Sequence, residues 1–418
     1  APQVAEGDTD LKVGDADLQV EEEEVDANGN KASALRLLSR CRNVLDDGIE
    51  KGLHTGAFVS VRVEGQPQYD LAMGECRPGS PMRPSHLINW MSTSKVVTVV
   101  AIFQLIEKGS IRIKDYVAKH IPMFGKYGKE LITIEHLLVH TAGIPYADVS
   151  KWSSLHDTEK VLETIYESRI EDGWQPGLKA AYHPYSSWFL LGEIIRRIDG
   201  RAFQVYVREE IFIPLEMHDC HIGMSDDVFQ RYNADGRFCE LRTVSGKGKL
   251  LTKATVGTQP NECKGAVPGS NGRGPAYQWL HIFEMLTRQG IGHNGVRILE
   301  AETVRTLSRR HRIGMFDVVQ GVQCDWSLGL FVGSLLTGIH ATSETFGHGG
   351  SQSSMGFCDP LKKISAVIAC NTRPGPKHHY ERMAAVATAL YEDLGLRDED
   401  MGMASSTSDG VSRGDGGG

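Results

Sequence analysis

Ser92-Thr93-Ser94-Lys95 is a stretch whose residue types could do covalent chemistry. A serine at the start of a helix, with a lysine three residues on, puts both side chains on one face about one turn apart. The helix N-terminus offers backbone N–H groups to a developing oxyanion. A lysine in a water-poor site can help to deprotonate the serine. The spacing therefore suits an acyl-enzyme, with Ser92 as nucleophile and Lys95 as its proton partner. By itself the pattern is weak, because a chain of 418 residues yields about one such match by chance.

Two other clusters could complete this chemistry. Tyr185-Ser186-Ser187 stands just before Phe189-Leu190-Leu191-Gly192-Glu193-Ile194-Ile195, the pattern of a buried helix. A loop tyrosine beside a cationic lysine can have its pKa lowered enough to act as a base, and Ser187 can add a hydroxyl donor. Taken alone, Tyr185 also reads as a ring that caps a hydrophobic helix. Phe346-Gly347-His348-Gly349-Gly350-Ser351 sets three glycines around one histidine. That suggests a strand edge where backbone must approach something closely, with the Ser351 N–H as a second oxyanion donor. Its alternative is a glycine-rich turn with a solvated histidine.

These groups need elements to hold them. Val96 to Ile106 is apolar except at Thr98 and Gln104, and reads as a buried helix behind the serine. No apolar run reaches the ~18–20 residues of a membrane span. Leu35, Leu38, Cys41, Leu45 and Ile49 recur at helical spacing and predict an amphipathic helix ending at Gly52. Ala57 to Val63 predicts a strand, with Tyr69 to Met73 as its hairpin partner. Lys363 to Cys370 returns to strand character, and His379 to Leu394 is again an amphipathic helix. The expected fold is α/β of the α+β kind, an antiparallel sheet flanked by terminal helices. One catalytic domain is expected over residues 32–400, with its sheet part in about 32–86 and 321–396 and a mainly helical insertion in about 87–320. Residues 1–31 and 401–418 are expected to be disordered, the first acidic and the second rich in glycine and serine.

Together the three clusters resemble the serine β-lactamase and penicillin-binding-protein-like family: class C β-lactamases, DD-peptidases, and related carboxylesterases and acyltransferases. That family carries S-x-x-K, then Y-x-N or Y-x-S, then K-T-G or H-x-G, in this order. The resemblance extends beyond the motifs. Leu105-Ile106-Glu107-Lys108-Gly109, with Asp115 and Ile121-Pro122, is similar to the stretch after the family's nucleophile. Leu137-Leu138-Val139-His140-Thr141-Ala142-Gly143-Ile144 is similar to its LLxHTSGL segment. Ile211-Phe212-Ile213-Pro214-Leu215-Glu216-Met217 resembles its IFxPLGM turn, and Trp326-Ser327-Leu328-Gly329-Leu330 its YGLG strand. The likeness covers roughly residues 33–396.

The resemblance implies that Ser92 is acylated and that Lys95 and Tyr185 share the base and acid work. It implies an oxyanion hole from the N–H groups of Ser92 and Ser351. Ser187, His348, Gly349 and Gly350 would face the substrate. Trp188, an aromatic beside the second motif, hints at an apolar acyl pocket, and core packing explains it equally well. Two departures bear on what is bound. His348 stands where a lysine would supply a fixed charge for a β-lactam or peptide carboxylate, and a histidine is mostly neutral at pH 7. Ser187 lacks the amide of the family's asparagine. Both patterns belong to the esterase and acyltransferase branches.

Charge and cysteine usage narrow the remaining classes. The formal charge of −8 belongs to residues 1–30, where ten acids face only Lys12, and the rest of the chain is nearly neutral. A basic nucleic-acid-binding body is disfavoured. The eight cysteines show no CxxC pairing, which suits free thiols and a cytoplasmic location. His218-Asp219-Cys220-His221 has two histidines but no further ligand pair, so no metal is expected and no cofactor is implied. Gly269 to Gly274 looks like a phosphate loop, yet no strand leads into it and no Lys-Ser or Lys-Thr follows. The reading is a serine hydrolase with a small-molecule acyl ester or amide substrate, most simply a carboxylesterase on small or apolar acyl groups. Its rivals are an acyltransferase using the same acyl-enzyme, a β-lactamase or D-amino-acid peptidase, and a catalytically silent scaffold. Oligomeric state has no signature in the sequence.

Overall fold

In a computed structural model, residues 38–64, 66–148, 155–244 and 259–397 are described. The acidic residues 1–31, the residues 401–418 and Leu35 lie outside them. Eight strands form the main sheet: β1 (Gly56–Val63), β2 (Gln68–Arg77), β3 (Ser80–Pro81), β4 (Asp325–Trp326), β5 (Phe331–Val332), β6 (Phe346–Gly350), β7 (Ser354–Asp359) and β8 (Ile364–Cys370). Their order is β3-β2-β1-β8-β7-β6-β5-β4, and each neighbouring pair is antiparallel. The two ends of the chain therefore meet at the β1–β8 seam, with Ala57 opposite Cys370 and Val63 opposite Ile364.

Alternation along the strands divides the interior into two cores. Ala57, Val59 and Val61 of β1 share one face with Met355, Phe357, Ala366 and Ile368. That face is covered by α1 (Ser39–Glu50), through Cys41 and Leu45, and by α5 (Pro376–Asp393), through Met383, Val386 and Leu390. The Asp393 carboxylate accepts from the N–H groups of Arg40 (3.1 Å) and Cys41 (2.9 Å), so the last helix caps the first. Phe58, Cys358, Val367 and Ala369 point the other way, into the helical part.

There α2 (Lys95–Glu107) is buried at every position from Lys95 to Leu105. Its valines and isoleucines are mediocre helix formers, and burial on all sides overrides that preference. Against it packs α3 (Ser186–Asp199), while α4 (Ala276–Thr287) lies across β1, β7 and β8. Trp279 of α4 stacks on Trp90, with centroids 5.4 Å apart and planes 9° from parallel. Phe283, one turn on, fills the space above Gly356 of β7, where a Cβ would collide with its ring. Among the described residues no helix is long and apolar enough to cross a membrane.

Gly356 is thus where the sheet and α4 come closest at that ring. Gly356→Ala is expected to lower unfolding free energy by about 1–3 kcal/mol through overpacking, measured by urea denaturation.

Candidate active site

Ser92 lies in a short 3-10 turn, Met91–Ser94, that runs directly into α2. Met91 just before it has φ 51°, a left-handed conformation unusual for a residue with a side chain. Several bonds hold the turn. Met91 N–H donates to Asn89 Oδ1 (2.7 Å), and Ser94 Oγ donates to the Met91 carbonyl (2.6 Å). Gly272 N–H donates to Ser94 Oγ (2.8 Å), and Trp90 N–H donates to the Gly272 carbonyl (2.8 Å). From the sheet side, Ser354 Oγ donates to the Trp90 carbonyl (2.7 Å).

Lys95 is completely buried. Its Nζ is 3.0 Å from Ser92 Oγ, 3.0 Å from the Pro184 carbonyl and 2.7 Å from the Gly269 carbonyl. Among the described residues no carboxylate pairs with it. Burial lowers its pKa well below the ordinary lysine range. A neutral amine has two N–H donors and one lone pair. The two carbonyls can take the donors, which leaves the lone pair for the Ser92 hydroxyl proton. The rings of Trp188 and Tyr182 lie 5.1 and 5.3 Å from Nζ and line the rest of its surroundings.

The phenol that meets Ser92 is Tyr182, not Tyr185. Burial pushes the Tyr182 pKa upward, and its hydrogen bond with Ser92 opposes that rise. Tyr182 also lies against the rings of His140 (4.7 Å) and Trp326 (6.0 Å). Tyr185 instead occupies the position before the first residue of α3, where its carbonyl accepts from the N–H groups of Trp188 and Phe189. Its own phenol is raised by burial and opposed by Arg373. The expectation for Tyr185 fails because that residue begins the helix. Tyr182 lies in the irregular run before it, and Pro184 between them turns its carbonyl to Lys95.

Strand β6 brings the third cluster alongside. Thr93 Oγ1 donates to the His348 carbonyl (3.2 Å). At Gly350 a Cβ would collide with the Trp90 carbonyl and Ser354 Oγ, so only glycine permits this approach. Ser351, the next residue, is exposed. His348 is buried, its Nδ1 2.6 Å from the Gly349 carbonyl, while Nε2 has no partner among the described residues. Burial, then Lys95, lowers its pKa to about 3, so the ring is neutral.

The family model described as Beta-lactamase matches residues 42–390. The chain belongs to the β-lactamase family of serine hydrolases. It is 24% identical over 397 residues to Esterase EstB of Burkholderia gladioli, covering 88% of this chain and 97% of that protein. It is 23% identical over 347 residues to Esterase/beta-lactamase LipL of Mycobacterium tuberculosis, covering 77% of this chain and 78% of the relative. A solved family VIII carboxylesterase superposes with a TM-score of 0.72 at 24% identity, covering 85% of this chain and 97% of that one.

Within this family member, two of the expected substrate contacts are in the core instead. Ser187 and Trp188 are both fully buried in the first turn of α3. Trp188 Nε1 donates to the His183 carbonyl (3.1 Å), and its ring lies 5.1 Å from Lys95 Nζ, so it packs against the amine. Gly349 is half-buried, toward Leu336. The loop around Gly269 to Gly274, read from sequence as a plain loop, supplies a carbonyl to Lys95 and an N–H to Ser94. No spacing rule marks it, since these contacts are made by backbone atoms. The two histidines His218 and His221 join no metal-binding group, and none exists among the described residues.

Tyr182→Phe is expected to lower kcat/KM by about 100-fold, while Tyr185→Phe leaves it near the wild-type value; steady-state ester kinetics separate them. The rate should rise with pH as Lys95 loses its proton, at a midpoint below the 10.5 of an ordinary lysine. His348, neutral from about 3 upward, adds no step, so a pH profile of His348→Gln should keep that midpoint.

Proposed function

We propose that this chain is a carboxylesterase that acts on small or apolar acyl esters through an acyl-Ser92 intermediate. The observation that carries this reading is the fully buried Lys95 amine, 3.0 Å from Ser92 Oγ. Lys95, neutral, takes the Ser92 proton as Oγ attacks the ester carbonyl. The N–H groups of Ser92 and Ser351 hold the oxyanion that forms. Tyr182, kept protonated by burial, passes a proton to the departing alkoxide and is reprotonated from Lys95. Water then attacks the acyl-enzyme with Lys95 and Tyr182 in the reverse roles, releasing the acid and restoring the Ser92 hydroxyl.

An uncharged His348 favours esters over β-lactams and peptides, whose carboxylate would find no fixed cation there. Two of the similar proteins bear the name esterase, which agrees with this reading. The eight cysteines carry free thiols, seven of them buried, which agrees with a reducing, cytoplasmic setting.

A fluorophosphonate probe should label the wild-type protein once, and Ser92→Ala should abolish the label. In steady-state assays, p-nitrophenyl acetate or butyrate should exceed nitrocefin in kcat/KM by about 100-fold or more. Equal or faster nitrocefin turnover would reverse the substrate assignment, and an unlabelled wild-type protein would indicate a silent scaffold.

A further inference from the structure

The run from Ala180 to His183 carries Tyr182, yet it is neither helix nor strand. Its backbone groups have built partners on two sides. On one side, Ala181 N–H donates to the His140 carbonyl and His183 N–H to His140 Nδ1, both at 3.0 Å. On the other, Val318 N–H donates to the Ala180 carbonyl (3.0 Å) and Tyr182 N–H donates to Asp317 Oδ1 (2.8 Å). The bond to Tyr182 itself is thus made by a carboxylate.

Asp317 is completely buried. Its Oδ1 also accepts from the N–H groups of Val319 and Gln320, each at 3.1 Å. Its Oδ2 accepts from Arg312 Nη1 at 3.2 Å, and the Arg312 side chain is 1% exposed. The same Nη1 donates to the Val139 carbonyl (3.1 Å), next to His140, and Nη2 donates to Cys324 Sγ (3.0 Å). One guanidinium therefore joins both walls that hold the Tyr182 run. A buried ion pair contributes little net stability, because desolvation offsets its attraction. Geometry is what this pair supplies.

We propose that Asp317, paired with Arg312, is a positioning residue for Tyr182: it fixes the Tyr182 backbone so that the phenol meets Ser92. The inference rests on Tyr182 being the proton-transfer partner of Ser92. Asp317 and Arg312 touch neither Ser92 nor the reacting atoms. They act through the Tyr182 N–H, much as an orienting carboxylate acts through a histidine in other serine hydrolases.

The test is a double-mutant cycle read by the second-order rate of fluorophosphonate labelling at Ser92, with near-ultraviolet circular dichroism as the folding control. Asp317→Ala should slow labelling about 10- to 100-fold in an otherwise wild-type chain. In a Tyr182→Phe chain the same change should add no further loss, since its route is already gone. A loss that multiplies with that of Tyr182→Phe, or a folded Asp317→Ala that labels at the wild-type rate, would overturn the proposal. Should Asp317→Ala not fold, Asp317→Asn takes its place. It keeps an oxygen for the Tyr182 N–H but loses the Arg312 ion pair, so a smaller loss is expected that again vanishes beside Tyr182→Phe. An absent or multiplying loss overturns the proposal there too. A wild-type protein that is never labelled refutes the serine-hydrolase mechanism itself, whereas a labelled one with independent losses refutes only the role of Asp317.

Discussion

Lys95 places a primary amine in the core, with two backbone carbonyls and one serine hydroxyl as its polar neighbours. Charging it there would cost several kcal/mol of lost hydration with no anion in return. The amine is therefore held toward its neutral form, which is the form that can accept a proton. Much of the surrounding structure serves to keep water away from it. The rings of Trp188 and Tyr182 line its sides, and α2 is apolar around it. The same burial drives the Tyr182 phenol in the opposite direction, toward staying protonated. One dry site thus sets a base and an acid side by side, and among the described residues no carboxylate pairs with the amine.

Dryness alone would not aim the serine. That depends on a strained turn wedged between sheet and helical part, with Met91 in the left-handed region. Bonds from Asn89, Gly272 and Ser354 oppose its relaxation. Gly272 and Ser354 come from parts of the chain far from the turn, whereas Asn89 is its near neighbour. Behind them the Trp90–Trp279 stack and the glycines of β6 and β7 set how closely the layers approach. Strain of this kind persists only where the surroundings over-determine it. Here they come from strand β7, the loop at Gly272 and the helical-side core, so the site lies where the sheet and the helical part meet.

The body of the chain is nearly neutral in formal charge. The formal charge of −8 is carried by an acidic segment outside the described residues. His348 on β6 is buried, and burial keeps its ring neutral. An apolar acyl ester loses little hydration on entering such a place, whereas an anion loses a great deal. Selectivity in this reading comes less from a contact made than from a charge withheld.

Local patterns along the chain were enough to determine the antiparallel sheet drawn from both ends, the terminal helices, and the proximity of Ser92 to Lys95. Each depends on short-range periodicity: alternation in strands, and one helical turn between serine and lysine. The choice between Tyr182 and Tyr185 was not available at that range. Both lie before the same helix, and which phenol reaches Ser92 depends on where the helix starts and on how the Pro184 carbonyl turns. The same holds for Ser187 and Trp188, whose burial follows from α3 packing on α2. The roles of the Gly269 carbonyl and of the Arg312–Asp317 pair left no trace in any motif, because each contact joins a backbone atom to a side chain more than 130 residues away. The residue types capable of chemistry are a property of the sequence. Their directions, their dryness and hence their protonation states were decided only by the tertiary fold, since all three depend on what distant segments pack against them.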